Sequence, residues 1–360
     1  MPITAALALT AATVVGLGCD RLSIGVPATL SSATNGDGNI HNTDRSRSPV
    51  EFVFSADGST YVSRGLGDTV RVCDVETNLT LHSLTTPTKG IRRVVCNRDA
   101  SSILVISRDG PVVIFTRTDG RYRSRMLHRF KRPVVCDLSE DGRQALLGTE
   151  NGRVEIRDTE SGKCLQLIAT DARRVDLVRF SPDEKRVLYT CNDGTIHLWD
   201  RRQAAEVACF LANAFPVRTA TFSPDGLRIA TGHNDGWLHV WDADSGSELC
   251  SRKIGDVPLL SVDFSPCGRL VACGTCLGDI TVRNASDCAE QMTWFSQGVV
   301  KQVEFSPDGT TVFAAFSGPN AALRRFEIPQ DVGSLAEPNS SRPQNNSGTP
   351  AGDADKFRHR

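Results

Sequence analysis

The chain has 360 residues, 39% of them hydrophobic and 23% charged, enough apolar content for a large core and too much for wholesale disorder. With 41 basic against 42 acidic residues the net charge is −1, which argues against a generic polyanion binder. No apolar run reaches the roughly 20 residues of a membrane-spanning helix. Twelve cysteines spread from Cys19 to Cys288 are too dilute for a disulfide scaffold, so most are expected as free, buried thiols.

Residues 1–49 read as a segment of their own. Ile3 to Gly18 carry no charge and are rich in Ala, Leu, Thr and Val. That fits the apolar region of a secretory signal, but no Lys or Arg precedes it and the first basic residue is Arg21. The small residue before Cys19 matches part of a bacterial lipidation site, although Gly16 stands where a branched residue is usual. Read structurally, the same stretch is a β segment at Thr13 to Val15, with a second at Leu22 to Val26. Ser31 to Ser48 then form a flexible linker, in which Ser48-Pro49 after Arg45 and Arg47 is a candidate phosphorylation site.

From residue 50 a repeat takes over. Turn-forming segments recur as FSADG (54–58), LSEDG (138–142), FSPDE (180–184), FSPDG (222–226), FSPCG (264–268) and FSPDG (305–309), with a degenerate copy, CNRDA, at 96–100. Their first residues, Phe54, Cys96, Leu138, Phe180, Phe222, Phe264 and Phe305, are separated by five gaps of 42 and one of 41. A second column runs in phase 19 residues later, at Cys73, Phe115, Arg157, Trp199, Trp241 and Arg283, and closes at Phe326 after 21. Within each repeat a strand leads into a tight turn in which Pro presets φ and Gly closes the chain reversal. In the fifth repeat the pattern predicts strands at Val217–Phe222, Arg228–Thr231, Leu238–Trp241 and around Glu248–Arg252, with a hairpin turn at Asn234-Asp235-Gly236. Four short antiparallel strands in about 42 residues make one propeller blade.

Trp199-Asp200 and Trp241-Asp242 carry a signature dipeptide, and Cys73-Asp74 and Arg157-Asp158 keep its Asp. On these residues and the fixed period, residues 50–328 resemble the WD-repeat family. The resemblance implies an all-β, seven-bladed propeller of four-stranded blades that serves as a scaffold for protein–protein interactions. The family's ordering network of His, Ser or Thr, Asp and Trp is expected to be incomplete in every blade, because the loop before each inner strand lacks the Gly-His pair. The last repeat runs out of strands after Ile328, and the family's usual closure implies that residues within about 12–28 supply its outer strand. Residues 329–360, rich in Pro, Ser, Asn and Gly, read as a disordered tail. A closing strand and a cleaved signal exclude each other, so an intracellular protein, cytoplasmic or nuclear, is expected, with an exported or lipid-anchored propeller, conceivably enzymatic, as the alternative.

No catalytic or cofactor constellation stands out: GxxxxGK[ST], GxGxxG, HExxH and GxSxG are all absent. His197 and His239 hold one column in adjacent blades, and sheets about 10 Å apart cannot share a metal. Cys273 and Cys276 form a lone CxxC at a position of small-residue packing. Asp137, Asp263 and Glu304 share one offset on the inner strands, but Arg179, Thr221, Val53 and Val95 complete that column, too mixed a set for a metal. Neither an enzyme nor a metal or cofactor is therefore expected.

Basic surfaces are the stronger lead. Arg92, Arg93, Arg132, Arg174, Arg218 and Lys301 sit where inner strands begin, and would ring one channel mouth, balanced in part by the turn acids Asp109, Asp193 and Asp235. Residues 117–132 hold seven Arg or Lys and one acid, with Arg121, Arg123 and Arg125 on one face of an outer strand. Other proteins with acidic surfaces are the expected partners, ahead of nucleic acid or anionic lipid, since aromatics for base stacking are sparse. Trp199, Asp200 and Arg202 also resemble the box by which some WD-repeat proteins dock on the cullin-4 ubiquitin ligase adaptor, which gives substrate reception as an alternative role.

Overall fold

The structure, a computed structural model, describes residues 52–55, 58–64, 67–108, 110–129, 133–170, 174–211, 215–317, 323–329 and 332. The expected closing strand at 12–28, the linker and nearly all of the tail lie outside the described residues. Those that are described form 27 strands in seven antiparallel sheets, each meandering outward from its first strand. Blades 1 to 7 span residues 52–85, 91–129, 133–169, 175–211, 217–253, 259–295 and 299–327. The first six are four-stranded, and blade 7 has three strands among the described residues. Blade 5 matches the sequence reading, with strands Val217–Phe222, Arg228–His233, Trp237–Asp242 and Glu248–Lys253.

The core is divided into seven apolar clusters, one at each junction between neighbouring blades. Closure follows from the last of these, where Phe52, Phe54 and Tyr61 of blade 1 pack with Phe313, Ala315 and Leu323 of blade 7. Phe54 and Phe313 stand 4.5 Å apart between ring centroids. Each face of a blade is thus buried against the next, which is why second strands such as Leu270–Thr275 are buried along their whole length. Small residues mark the closest approach. A Cβ on Gly274 would sit 2.5 Å from Val300 of the next blade, so the adjoining Cys273 belongs to packing, as its sequence context suggests.

The repeated turn is held by its serine. Ser181 Oγ donates to Asp183 at 2.7 Å and accepts the amide of Arg186 at 2.9 Å. The same pair of bonds recurs at Ser139 and at Ser306. The degenerate copy in blade 2 keeps the device with Asn97, which accepts the Ser102 amide at 2.7 Å and donates to Asp99 at 2.9 Å.

A bulge repeats where third and fourth strands pair. In blades 1, 3, 4 and 5 one residue is skipped in the register, and it is Leu81, Leu165, Val207 or Leu249, each turned to solvent. The skipped residue reverses the strand's alternation beyond it.

Two features add detail to the sequence reading. Cys250, on the outer strand of blade 5, is joined in a disulfide to Cys288 of blade 6, whereas nine other described cysteines are free. The ordering network is partly formed in blade 5 and still incomplete there, as expected, since the Nδ1 of His233 has no hydrogen-bond partner among the described residues. In blade 5 the indole of Trp241 donates to Thr231 Oγ1 at 2.9 Å, and Thr231 bonds His233 Nε2 at 2.9 Å. The histidine arrives on the second strand, in a Gly232-His233 pair outside the loop where the family pattern carries it.

Candidate functional site

The inner strands present two differently built ends, each with a cavity. One is formed by the turns between first and second strands, with Pro182, Pro224, Pro266 and Pro307 around a cavity of about 590 Å³. The other lies where the inner strands begin. Its cavity is about 110 Å³, lined by Arg93, Asp176, Arg218 and Lys301 with Arg179.

Three of the basic residues singled out in the sequence therefore share one mouth: Arg93, Arg218 and Lys301. Arg218 donates from Nε to Asn234 at 3.0 Å, and neither it nor Lys301 has a carboxylate partner among the described residues. Arg174 pairs with Asp176 at 2.5 Å, and that hydrogen bond holds its guanidinium pKa above the usual value. Arg92 lies 3.7 Å from Glu150. Asp176 and Glu150 thus offset two of the arginines beside this mouth. Asp193 accepts from the Thr195 hydroxyl, and Asp235 from the amide of Trp237. Arg132 and Asp109 lie outside the described residues.

The acidic column serves the backbone. Asp137 accepts the amide of Phe180, and Asp263 that of Phe305, each at 2.8 Å, so the carboxylates of one blade hold the inner strand of the next. Glu304 takes the amide of Phe54 in the same way and helps to close blade 7 on blade 1. Burial pushes the pKa of Asp263 up to about 7, and it raises those of Asp137 and Glu304, the latter helped by the charge of Asp263. Arg179 opposes all three shifts.

On blade 2 the strands Pro111–Thr118 and Arg121–Arg129 are longer than their counterparts and meet in a two-residue turn, Asp119-Gly120, with φ of 53° and 73°. Arg121 and Arg123 are exposed on it. Arg125 is not free: its guanidinium bonds the carbonyls of Thr159 and Glu160 in blade 3. Tyr122, one of the few aromatics on this hairpin, gives its hydroxyl to the carbonyl of Ala100 at 2.6 Å.

The Trp199–Arg202 stretch divides in two. Trp199 packs into the core between blades 3 and 4, and Asp200 caps the following turn through the amides of Arg202 and Gln203, at 2.8 and 2.7 Å. Arg201 is anchored over the Phe180 ring, 5.1 Å from its centroid. Arg202 alone is exposed, beside Leu165 and Gln166 in a surface groove.

The two aligned histidines do not meet each other across blades. Each instead faces a glutamate of its own outer strand, His197 with Glu206 at 2.6 Å and His239 with Glu248 at 2.7 Å. The spacing of nine, repeated 42 residues later, was the available signal. In the strand's plain alternation it goes unnoticed, because the bulge at Val207 shifts the face on which Glu206 lies.

The family model for the WD domain, G-beta repeat, matches residues 162–200 and 206–242. The chain carries WD40 repeats on a seven-bladed propeller. Each match runs from the outer strand of one blade to the Trp-Asp of the next, so the WD40 unit straddles a blade junction. Propellers of this family are in general protein-interaction scaffolds and are typically non-catalytic. A search of the curated proteins finds no match to the chain. Among the described residues no helix is long and apolar enough to cross a membrane.

Proposed function

We propose that the protein is a non-catalytic WD40 scaffold that receives acidic segments of partner proteins at its basic channel mouth. The reading rests on the convergence of Arg93, Arg218 and Lys301 on one cavity, with the latter two lacking a carboxylate partner among the described residues. Charges held on rigid inner strands lose little freedom on binding and attract acidic partners from a distance. The net charge of −1 and the commitment of Tyr122 and Arg125 to the fold weigh against nucleic acid as the partner. Reversing Arg218 and Lys301 to Glu should remove a defined set of proteins from those captured by the wild-type chain in its native cells. An identical set from both proteins would contradict the reading. Docking on a ubiquitin-ligase adaptor would have to run through Arg202, the exposed member of its box.

One observation favours an exported protein as the second reading. The Cys250–Cys288 pair is of the kind that persists in oxidising compartments. Intact mass of the native protein under alkylation distinguishes the two. A bonded pair in a chain beginning near Cys19 supports export, and free thiols in a chain beginning at Met1 or Pro2 support the intracellular scaffold.

A further inference from the structure

The outer hairpin of blade 4 gathers a histidine, a carboxylate and a thiol on one face. His197 stands directly opposite Cys209 in the register between strands Thr195–Asp200 and Ala205–Leu211. Glu206 and Cys209 are three apart and would face opposite ways in a regular strand. The bulge at Val207 reverses the alternation between them and puts both beside His197. One ligand atom of each residue lies within 4.8 Å of the other two. A tetrahedral ion with bonds of about 2.0 to 2.3 Å holds its ligands roughly 3.3 to 3.8 Å apart. Glu206 and Cys209 are exposed, so side-chain rotation alone can close that difference.

The imidazole is already held in place. Its ring stacks on Tyr189 with centroids 4.7 Å apart and planes 5° from parallel. Nε2 faces Thr195 Oγ1 at 2.8 Å, and Thr195 in turn donates to Asp193 at 2.6 Å. This leaves Nδ1 aimed at Glu206. A histidine whose second nitrogen is fixed through a hydroxyl to a carboxylate is the usual support of a metal-bound imidazole.

Blade 5 supplies an internal comparison. Its corresponding residues are His239, Glu248 and Ser251, where Ser251 donates to Glu248 at 2.8 Å and Trp237 replaces Thr195. The histidine–glutamate pair alone thus serves the fold in blade 5, and blade 4 adds both the thiol and the supporting relay.

We propose that His197 Nδ1, Glu206 and Cys209 bind one divalent cation of the zinc class, with water completing the tetrahedron. Nitrogen, oxygen and sulfur donors together suit a borderline-soft ion, and three protein ligands leave one position open. On binding, the ion replaces the proton between Nδ1 and the glutamate, and the Cys209 thiol releases its proton to solvent. The site is independent of the channel mouth and of the scaffold reading.

The test is a titration of the reduced full-length protein with Co²⁺, followed by the near-ultraviolet thiolate-to-cobalt absorption. One Co²⁺ per chain is expected, displaced by Zn²⁺. Cys209→Ser should abolish the band, while Cys276→Ser keeps it. Cys209→Ser reproduces the arrangement of blade 5, and its melting temperature in chelator should equal that of the wild type, which separates lost ligation from misfolding. Thr195→Val should weaken Zn²⁺ binding about tenfold by loosening the imidazole. Absence of the band in the wild type, or its survival in Cys209→Ser, would overturn the proposal.

Discussion

Individual side chains decide how well each blade is held. Trp199 and Trp241 occupy one column, yet their indole N–H groups meet different fates. That of Trp241 reaches Thr231, whereas that of Trp199 is buried with no acceptor among the described residues, because Tyr189 stands where blade 5 has Thr231. Replacing Trp241 by Phe removes a buried hydrogen bond and leaves Thr231 with His233 alone, whereas replacing Trp199 by Phe relieves a stranded donor. A buried polar group left unpaired costs about 1–3 kcal/mol. Chemical denaturation should therefore find Trp241→Phe more destabilising than Trp199→Phe by about 1–2 kcal/mol, and equal losses would show that the network contributes nothing. The column itself was visible in the sequence. The difference between the two tryptophans was not, since it depends on which residue of the neighbouring strand faces the indole.

Strands and turns follow the sequence closely where the period is strict. The 42-residue spacing located every inner strand, even where Asn97 replaces the turn serine. What escaped was the consequence of irregular backbone. The bulge at Val207 brought Glu206 to His197 against the simple alternation. Cys288 has φ of 57°, at a turn position where Gly162 and Gly246 stand in blades 3 and 5 with φ of 70° and 69°. Asn78 and Ala204 stand there in blades 1 and 4 with φ of 56° and 51°, so a residue other than glycine gave no hint of a bond, and the structure pairs this one with Cys250. This bond closes 38 residues across the junction of blades 5 and 6. A loop of that length constrains the unfolded chain by up to about 4 kcal/mol. Cys250→Ser should lower the melting temperature under oxidising conditions and match the wild type under strong reductant. An equal melting temperature in both conditions would contradict a stabilising bond.

At the scale of the whole ring, closure and electrostatics are joined in the channel. Asp263 carries the folded-state proton affinity of a group that ionises near pH 7, against an ordinary carboxylate value near 4 in the unfolded chain. The folded state therefore holds a proton that the unfolded chain releases between these values, and stability falls as pH rises through this window. Below pH 4 the group costs nothing, and above pH 7 its cost is complete. Asp263→Asn keeps an oxygen to accept the Phe305 amide and carries no charge. Denaturation midpoints should show the variant gaining on the wild type as pH goes from 5 to 8, by on the order of 1 kcal/mol once channel water is allowed for. Parallel pH profiles would place the proton elsewhere.

The same ring sets seven inner strands around one axis, and their first residues carry the charge that gives the molecule its proposed use. Hydrogen exchange of the protein with and without a captured partner tests that use most directly. Protection is expected at the inner-strand starts, around Arg93, Arg218 and Lys301. Protection confined to the Asp119-Gly120 hairpin, the groove beside Arg202 or the proline-lined mouth would contradict a scaffold that binds through its basic mouth.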